Sequence, residues 1–436
     1  MTSLESSLVT TGPLDLISIR EYKTGSSETE SDESLVQDMF RDVMKRLQPN
    51  QGLLPDEMIG FGGYGKVFRI KGFRVKGRDV QIPESMKVVV KEGKCRRPCY
   101  FFTRGVSVQR QLQIIQDLFR SNACVPRLYS AWMSVPSKCV DNQCLFGVAM
   151  ELYGRSVMDE MKKNPSFVLD SLNDLLFQVS VVQTYFTKID LYQPDLTIKN
   201  VVMKKEPITW NVYLNNQQLK QKSCSINTRW IDFDLAEPFQ EPGSLKMFPQ
   251  RVKSILTATP SEFPFVGLPA DTSVPLGFGY KTQRNRYFRH GMPDTGQVNY
   301  RGVAPFLKPL MLFTISLAYM IPSNMLGHPN VIFLRRFQED LLLVKKVEQW
   351  EESLYFWSGT VRPQDPIQTF HLDDTTIQQY IQRINAVDPT LLTDTIPAGS
   401  VEENDENQST PTPPMERYYT SMGLEKEPVA KRTKLF

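Results

Sequence analysis

Histidine is nearly missing from this chain, with three residues in 436. The six cysteines, at positions 95, 99, 124, 139, 144 and 224, include no pair in the two-residue spacing of a zinc knuckle. A four-thiolate site joining Cys95-x3-Cys99 to Cys139-x4-Cys144 stays open, but the spacings and the thin histidine supply favour plain reduced cysteines. Long apolar runs are also lacking. The longest uncharged one, Pro309–Met320, is far short of the roughly twenty residues a membrane helix needs, so a soluble protein with no membrane partner is expected. Met1–Pro13 carries no basic stretch leading into an apolar core, which reads as no secretory signal and a reducing compartment. Net charge is only +3, too small to argue by itself for nucleic acid or a membrane surface.

What the chain does have is 41% apolar residues, enough to bury one large core or two moderate ones. Its charge is unevenly spread: residues 26–38 are acidic, while 86–110 and the last eleven residues are basic. Residues 1–33 read as a disordered acidic segment with no apolar face. Over 34–52, Val36, Phe40, Val43 and Leu47 recur at helical spacing behind Ser34 as N-cap, predicting an amphipathic helix that packs on the domain beginning near Leu53.

Strand patterns follow at Met58–Gly60, Lys66–Ile70 and Lys87–Lys91, then a helix over Val106–Phe119. A hairpin is expected from Tyr129–Val135 and Leu145–Met150 about the turn Val140–Gln143. From Ser156 the spacing is helical, with a buried helix over Lys308–Ile321, an inserted hairpin within Met203–Thr228 and a second long stretch over Ala236–Val303. Residues 396–436 are rich in Pro, Glu, Asn, Ser and Thr and read as a disordered tail. The expected class is α+β, β-rich over 53–150 and helical over 151–395.

Four short motifs carry chemistry. Gly60-Phe61-Gly62-Gly63-Tyr64-Gly65-Lys66-Val67 fills G-x-G-x-x-G-x-V. Val88-Val89-Val90-Lys91 is an apolar strand ending in lysine. Pro194-Asp195-Leu196-Thr197-Ile198-Lys199-Asn200 places an aspartate and an asparagine five apart, and Trp230-Ile231-Asp232-Phe233-Asp234 brings a carboxylate out of an apolar strand, where it is costly unless paired or bound to metal. Each is common alone, and a glycine-rich hairpin or a solvated strand-end lysine is the plain alternative. In this order, over roughly residues 55–320, they resemble the protein-kinase signature set.

That resemblance implies a two-lobed protein-kinase-like fold, a β-rich N-lobe over 53–150 and a helical C-lobe over 151–395, with ATP and Mg2+ as cofactors. Ile59, Gly60, Phe61, Gly62, Gly63, Tyr64, Gly65, Lys66 and Val67 would cradle the nucleotide, Lys91 would bind the α/β-phosphates, and Met150, Glu151 and Tyr153 would line the adenine site at the hinge. Asp195 would orient and deprotonate the attacking hydroxyl, while Asn200 and Asp232 would hold metal. The departures are Gln111 in place of the glutamate that holds the lysine, Gln193 and Pro194 for His-Arg, Asp234 for glycine, and Phe306 for glutamate after Tyr300–Pro305. The missing arginine implies no activation by loop phosphorylation, and Asp234 implies a stiffer segment. With the Asp-Leu-Thr step, the set looks like the divergent serine/threonine protein kinases of herpesviruses and related large DNA viruses. Expected partners are protein substrates, viral and host.

An inactive pseudokinase scaffold is the alternative, argued by Gln111, Pro194, Asp234 and Phe306 and opposed by the joint retention of Lys91, Asp195, Asn200 and Asp232. Nucleic-acid binding through Lys87–Arg110, with Tyr100, Phe101 and Phe102 among its cations, lacks a recognisable module and is not expected. Pro428–Leu435, with its K-R-x-K order, resembles a nuclear localisation signal, implying an import receptor as partner and the nucleus as location.

Overall fold

The computed structural model describes residues 53–62, 65–75, 78–82, 86–94, 100–134, 145–215, 219–238, 274–276, 288–289, 292–293, 303–354, 357 and 359–387. The expectations for 1–33, the 34–52 helix, the turn at 140–143, four of the six cysteines and the 396–436 tail lie outside these residues. The two described cysteines, Cys124 and Cys224, are buried free thiols, and burial pushes each up to about 12.

The described chain is α+β, with a sheet in its N-terminal part and helices in its C-terminal part. Strands β1 (Leu53–Gly62), β2 (Gly65–Val75), β3 (Arg78–Gln81), β4 (Val88–Lys94), β5 (Leu128–Ser134) and β6 (Leu145–Glu151) form one antiparallel sheet in the order β1-β2-β4-β6-β5, with β3 on β2. β4 is central because its Val88-Val89-Val90 run suits a strand covered on both faces, and all three valines are buried. Val88 and Val90 join Leu53, Ile70, Ile82, Tyr129 and Ala149 in a small core on one face. Helix α1 (Tyr100–Phe119) begins ahead of the expected Val106. Its Val108, Leu112 and Ile115 stack at i, i+4 and i+7 and enter the larger core shared with the C-terminal helices.

That larger core is built around α4 (Leu172–Lys188), which follows β7 (Arg155–Ser156), α2 (Val157–Lys163) and α3 (Pro165–Asp170). From Leu175 to Phe186 every residue of α4 is buried. Among its polar members Gln178 donates to the Ile226 carbonyl at 2.7 Å and accepts from Thr228 at 2.9 Å, whereas the Ser180 and Tyr185 hydroxyls have no hydrogen-bond partner among the described residues. Ser156 caps α2 by accepting from the Asp159 N–H at 3.1 Å. Helix α5 (Lys308–Met320) matches the expected buried helix and is buried at every position, as an all-round apolar helix must be. No described helix is long and apolar enough to cross a membrane.

Short ladders complete this half. β8 (Leu191–Tyr192) pairs with β13 (Glu237–Pro238), and β9 (Val201–Lys204) lies between β7 and β12 (Asn227–Trp230). β10 (Ile208–Tyr213) and β11 (Leu219–Cys224) form the hairpin expected within Met203–Thr228. β10 also pairs in parallel with β16 (Ile367–His371), so the insertion is stitched to the far end of the described chain. β14 (Phe288–Arg289) pairs with β15 (Met292–Pro293); α6 (Pro329–Leu343) packs on α4 and α5, α7 (Val347–Leu354) on α4, and α8 (Asp374–Ala386) on α1, where the Phe119 and Tyr380 ring centres lie 4.4 Å apart.

Candidate functional site

The glycine motif spans the β1–β2 hairpin. Gly60 pairs with Val67, Phe61 with Lys66, and Gly62 with Gly65; Gly63 and Tyr64 lie outside the described residues. The glycines are not equivalent. A side chain at Gly60 would meet nothing within 4 Å, whereas a Cβ at Gly65 would run into the Glu92 carbonyl oxygen of β4. Gly65 therefore permits the close approach of β2 to β4. That approach sets the register: Val67 lies opposite Lys91, and Lys91 opposite Val148 on β6. Ile59 and Lys66 are exposed on the hairpin.

Lys91 reaches across to the segment after β12. Its Nζ lies 3.1 Å from Asp232 Oδ1 and 3.8 Å from Asp234 Oδ2, all three side chains being 21–29% exposed. Gln111 on α1 does not take the place of the missing glutamate: its amide donates to Ser107 Oγ at 3.4 Å, one turn back on its own helix. Asp234 is the partner that sequence reasoning missed. Gly105 of α1 sits so close to Asp234 that a Cβ there would be 2.6 Å from Asp234 Oδ1, but in the sequence this glycine marks only a close approach to the helix, not what approaches.

Asp195 and Asn200 are brought together by the turn before β9. The Asn200 side-chain amide donates to the Asp195 carbonyl at 2.8 Å and to Asp195 Oδ2 at 3.2 Å. Lys199 lies 3.6 Å from the same oxygen. β9 then runs beside β12, and the Ile231 N–H donates to the Asn200 carbonyl at 2.9 Å, which sets Asp232 next to Asn200. Gln193 fixes Asp232 from the other side by donating to its carbonyl at 2.9 Å. Asp232 has φ of 66°, a left-handed conformation that costs an L-residue roughly 1–2 kcal/mol. Such strain is typical of residues held for a task.

Met150 and Glu151 end β6, opposite Val89 and Val88. The Glu151 carboxylate accepts from the Arg127 N–H at 3.2 Å, and the Leu152 N–H donates to the Lys87 carbonyl at 2.7 Å, anchoring the crossing into the helical half. Tyr153 is buried, with Arg229 4.7 Å from its ring centre, and burial raises its hydroxyl well above the ordinary tyrosine range. A 280 Å³ cavity lined by Leu53, Pro55, Met58, Phe68 and Glu92 is separate from this site. Phe68 and Glu92 are one residue out of step with Val67 and Lys91 and so face the other side of the sheet.

Among the described residues no group of three or more His, Cys, Asp or Glu is arranged to hold a metal by itself. The donors at this site suit a cation that takes part of its shell from a phosphate. Asn200 commits its nitrogen to Asp195, leaving its amide oxygen for a cation beside Asp232. Gln193 Oε1 and Thr197 Oγ1, on either side of Asp195, are buried without a hydrogen-bond partner among the described residues. A buried polar atom left in that state costs about 1–3 kcal/mol, which fits a site that is completed on binding. No protein-family model matches the chain, and no curated protein matches it in sequence.

Proposed function

We propose that the chain is an ATP- and Mg2+-dependent serine/threonine protein kinase of a two-lobed protein-kinase-like fold, divergent and of the kind found in large DNA viruses. The observation that carries this reading is the convergence of Lys91, Asp232, Asp195 and Asn200. These residues come from distant parts of the chain and are linked through contacts of 2.8–3.1 Å. Phosphoryl transfer asks a protein to hold a triphosphate, balance its charge and aim a hydroxyl, and each demand has a matching group.

The hairpin backbone of Gly60–Val67 would approach the phosphates, and Lys91 would bind the α/β-phosphate oxygens. The adenine would lie against Val67, bounded by Met150 and by the backbone of Glu151 and Tyr153. Mg2+, held by Asp232 and the Asn200 amide oxygen, would neutralise charge between the β- and γ-phosphates. Asp195 would accept the proton of a substrate serine or threonine hydroxyl. The hydroxyl oxygen bonds to the γ-phosphorus, the bond from that phosphorus to the β–γ bridging oxygen breaks, and ADP leaves. Lys199, already beside Asp195, would offer its ammonium to the transferred group. The protein substrates would be viral and host nuclear proteins.

Autophosphorylation with ATP and magnesium, wild type beside Asp195→Asn, tests the reading. Incorporation into the wild type and its loss by a factor of about 10² or more in the variant are expected. A silent wild type that keeps its fold would favour the scaffold alternative, for which the Gln111–Ser107 contact is the specific argument.

A further inference from the structure

We propose that Asp234 is the positioning residue that holds Lys91, doing from the segment after β12 what a glutamate on α1 would otherwise do. The inference rests on the kinase reading for its consequence and on geometry for its substance. Among the described residues Asp232 at 3.1 Å and Asp234 at 3.8 Å bring carboxylates to the Lys91 ammonium, while Gln111 is hydrogen-bonded to Ser107. If Asp232 is a metal ligand, its oxygens are drawn to the cation once nucleotide arrives. Asp234 is the carboxylate that can stay with Lys91 through that change.

The packing of α1 supports this division of labour. A side chain at Gly105 would collide with the Asp234 backbone nitrogen at 2.8 Å, its Cα at 2.9 Å and its Oδ1 at 2.6 Å. Glycine is a poor helix residue, and here it opens a notch in α1 that seats Asp234. The helix thus contributes room where a glutamate would have contributed charge. Glycine at 105, glutamine at 111 and aspartate at 234 form one set: the carboxylate stands on the facing loop, and the notch in the helix receives it.

Two measurements test this. The first is a double-mutant cycle, Lys91→Met with Asp234→Asn, read as unfolding temperature of the nucleotide-free full chain. Asp234→Asn is expected to lower that temperature by a few degrees in the wild type and to have no effect in Lys91→Met. Additive effects would overturn the proposal. The second is steady-state kinetics. Asp234→Asn is expected to raise KM for ATP about tenfold, as loss of one charge-assisted contact implies, with KM for an acceptor peptide unchanged.

Adding Gln111→Glu to Asp234→Asn should return the ATP KM to within about threefold of wild type, since it restores a carboxylate near the same ammonium. Gly105→Ala should reproduce the Asp234→Asn defect while favouring the helix itself. Failure of both the rescue and the Gly105→Ala phenocopy in an active enzyme would sink the idea. Should the wild type neither bind ATP nor transfer phosphate, the kinase reading falls, and the unfolding cycle still decides whether Asp234 holds Lys91.

Discussion

Asp232 is held by several constraints at once. It leaves a buried strand through Trp230, takes a left-handed backbone, offers its carbonyl to Gln193 and its carboxylate to Lys91. Asn at this position tolerates the same backbone angle, so Asp232→Asn removes charge with little backbone penalty. Lys91→Met keeps the length of the chain that crosses the sheet edge and also removes charge alone. Both variants are expected to lose phosphate transfer by about 10²-fold or more while unfolding within a few degrees of wild type, because the pair acts chiefly on the nucleotide. Undiminished transfer by either one, measured on a generic acceptor protein, would show that the phosphates are held elsewhere.

At the scale of elements, β4 with its flanking β2 was legible in the sequence, since a valine run ending in lysine and a glycine hairpin define their own strands. So was α5, whose apolar residues surround the helix completely. The parallel pairing of β10 with β16 was not. Both strands are short, and their partnership rests on Trp210 stacking on Phe370 at 4.7 Å, a contact between residues remote in sequence. The Asp195–Asn200 turn could be read from spacing, but the seat of Asp234 could not, because a glycine in a helix signals only that something approaches.

One residue of α5 resists the logic of its helix. Lys308 is 2% exposed, and its ammonium has no hydrogen-bond partner among the described residues; desolvation lowers its pKa from 10.5 to about 8. Below pH 8 it is charged in both folded and unfolded chains, so the folded state bears the full burial cost. Between about 8 and 10.5 the unfolded chain binds more protons, and stability rises with pH. Lys308→Met, close in volume and uncharged, is expected to raise the unfolding temperature by roughly a few degrees at pH 7 and by much less at pH 10. An equal gain at both pH values would mean that packing, not charge, sets the effect.

At the scale of the whole molecule, the sheet supplies Lys91 and the helical half supplies Asp195, Asn200, Asp232 and Asp234, so the candidate site exists only where the two halves meet. These five residues fall within 53–387. The basic cluster Lys431-Arg432-Thr433-Lys434 lies well past that limit, after a stretch from Ile396 to Pro428 poor in large apolar residues. We propose that this cluster serves an import receptor, as its K-R-x-K order suggests. At 50.1 kDa the chain is large enough for passive nuclear entry to be slow. Deleting residues 428–436 is therefore expected to move the protein toward the cytoplasm while leaving phosphate transfer by the purified chain unchanged. The two readouts are independent: fluorescence of a bulky fusion for location, acceptor labelling for activity. A nuclear signal that survives the deletion would leave the cluster as a solubilising end, and a fall in activity would mean that the tail touches the site built around Lys91.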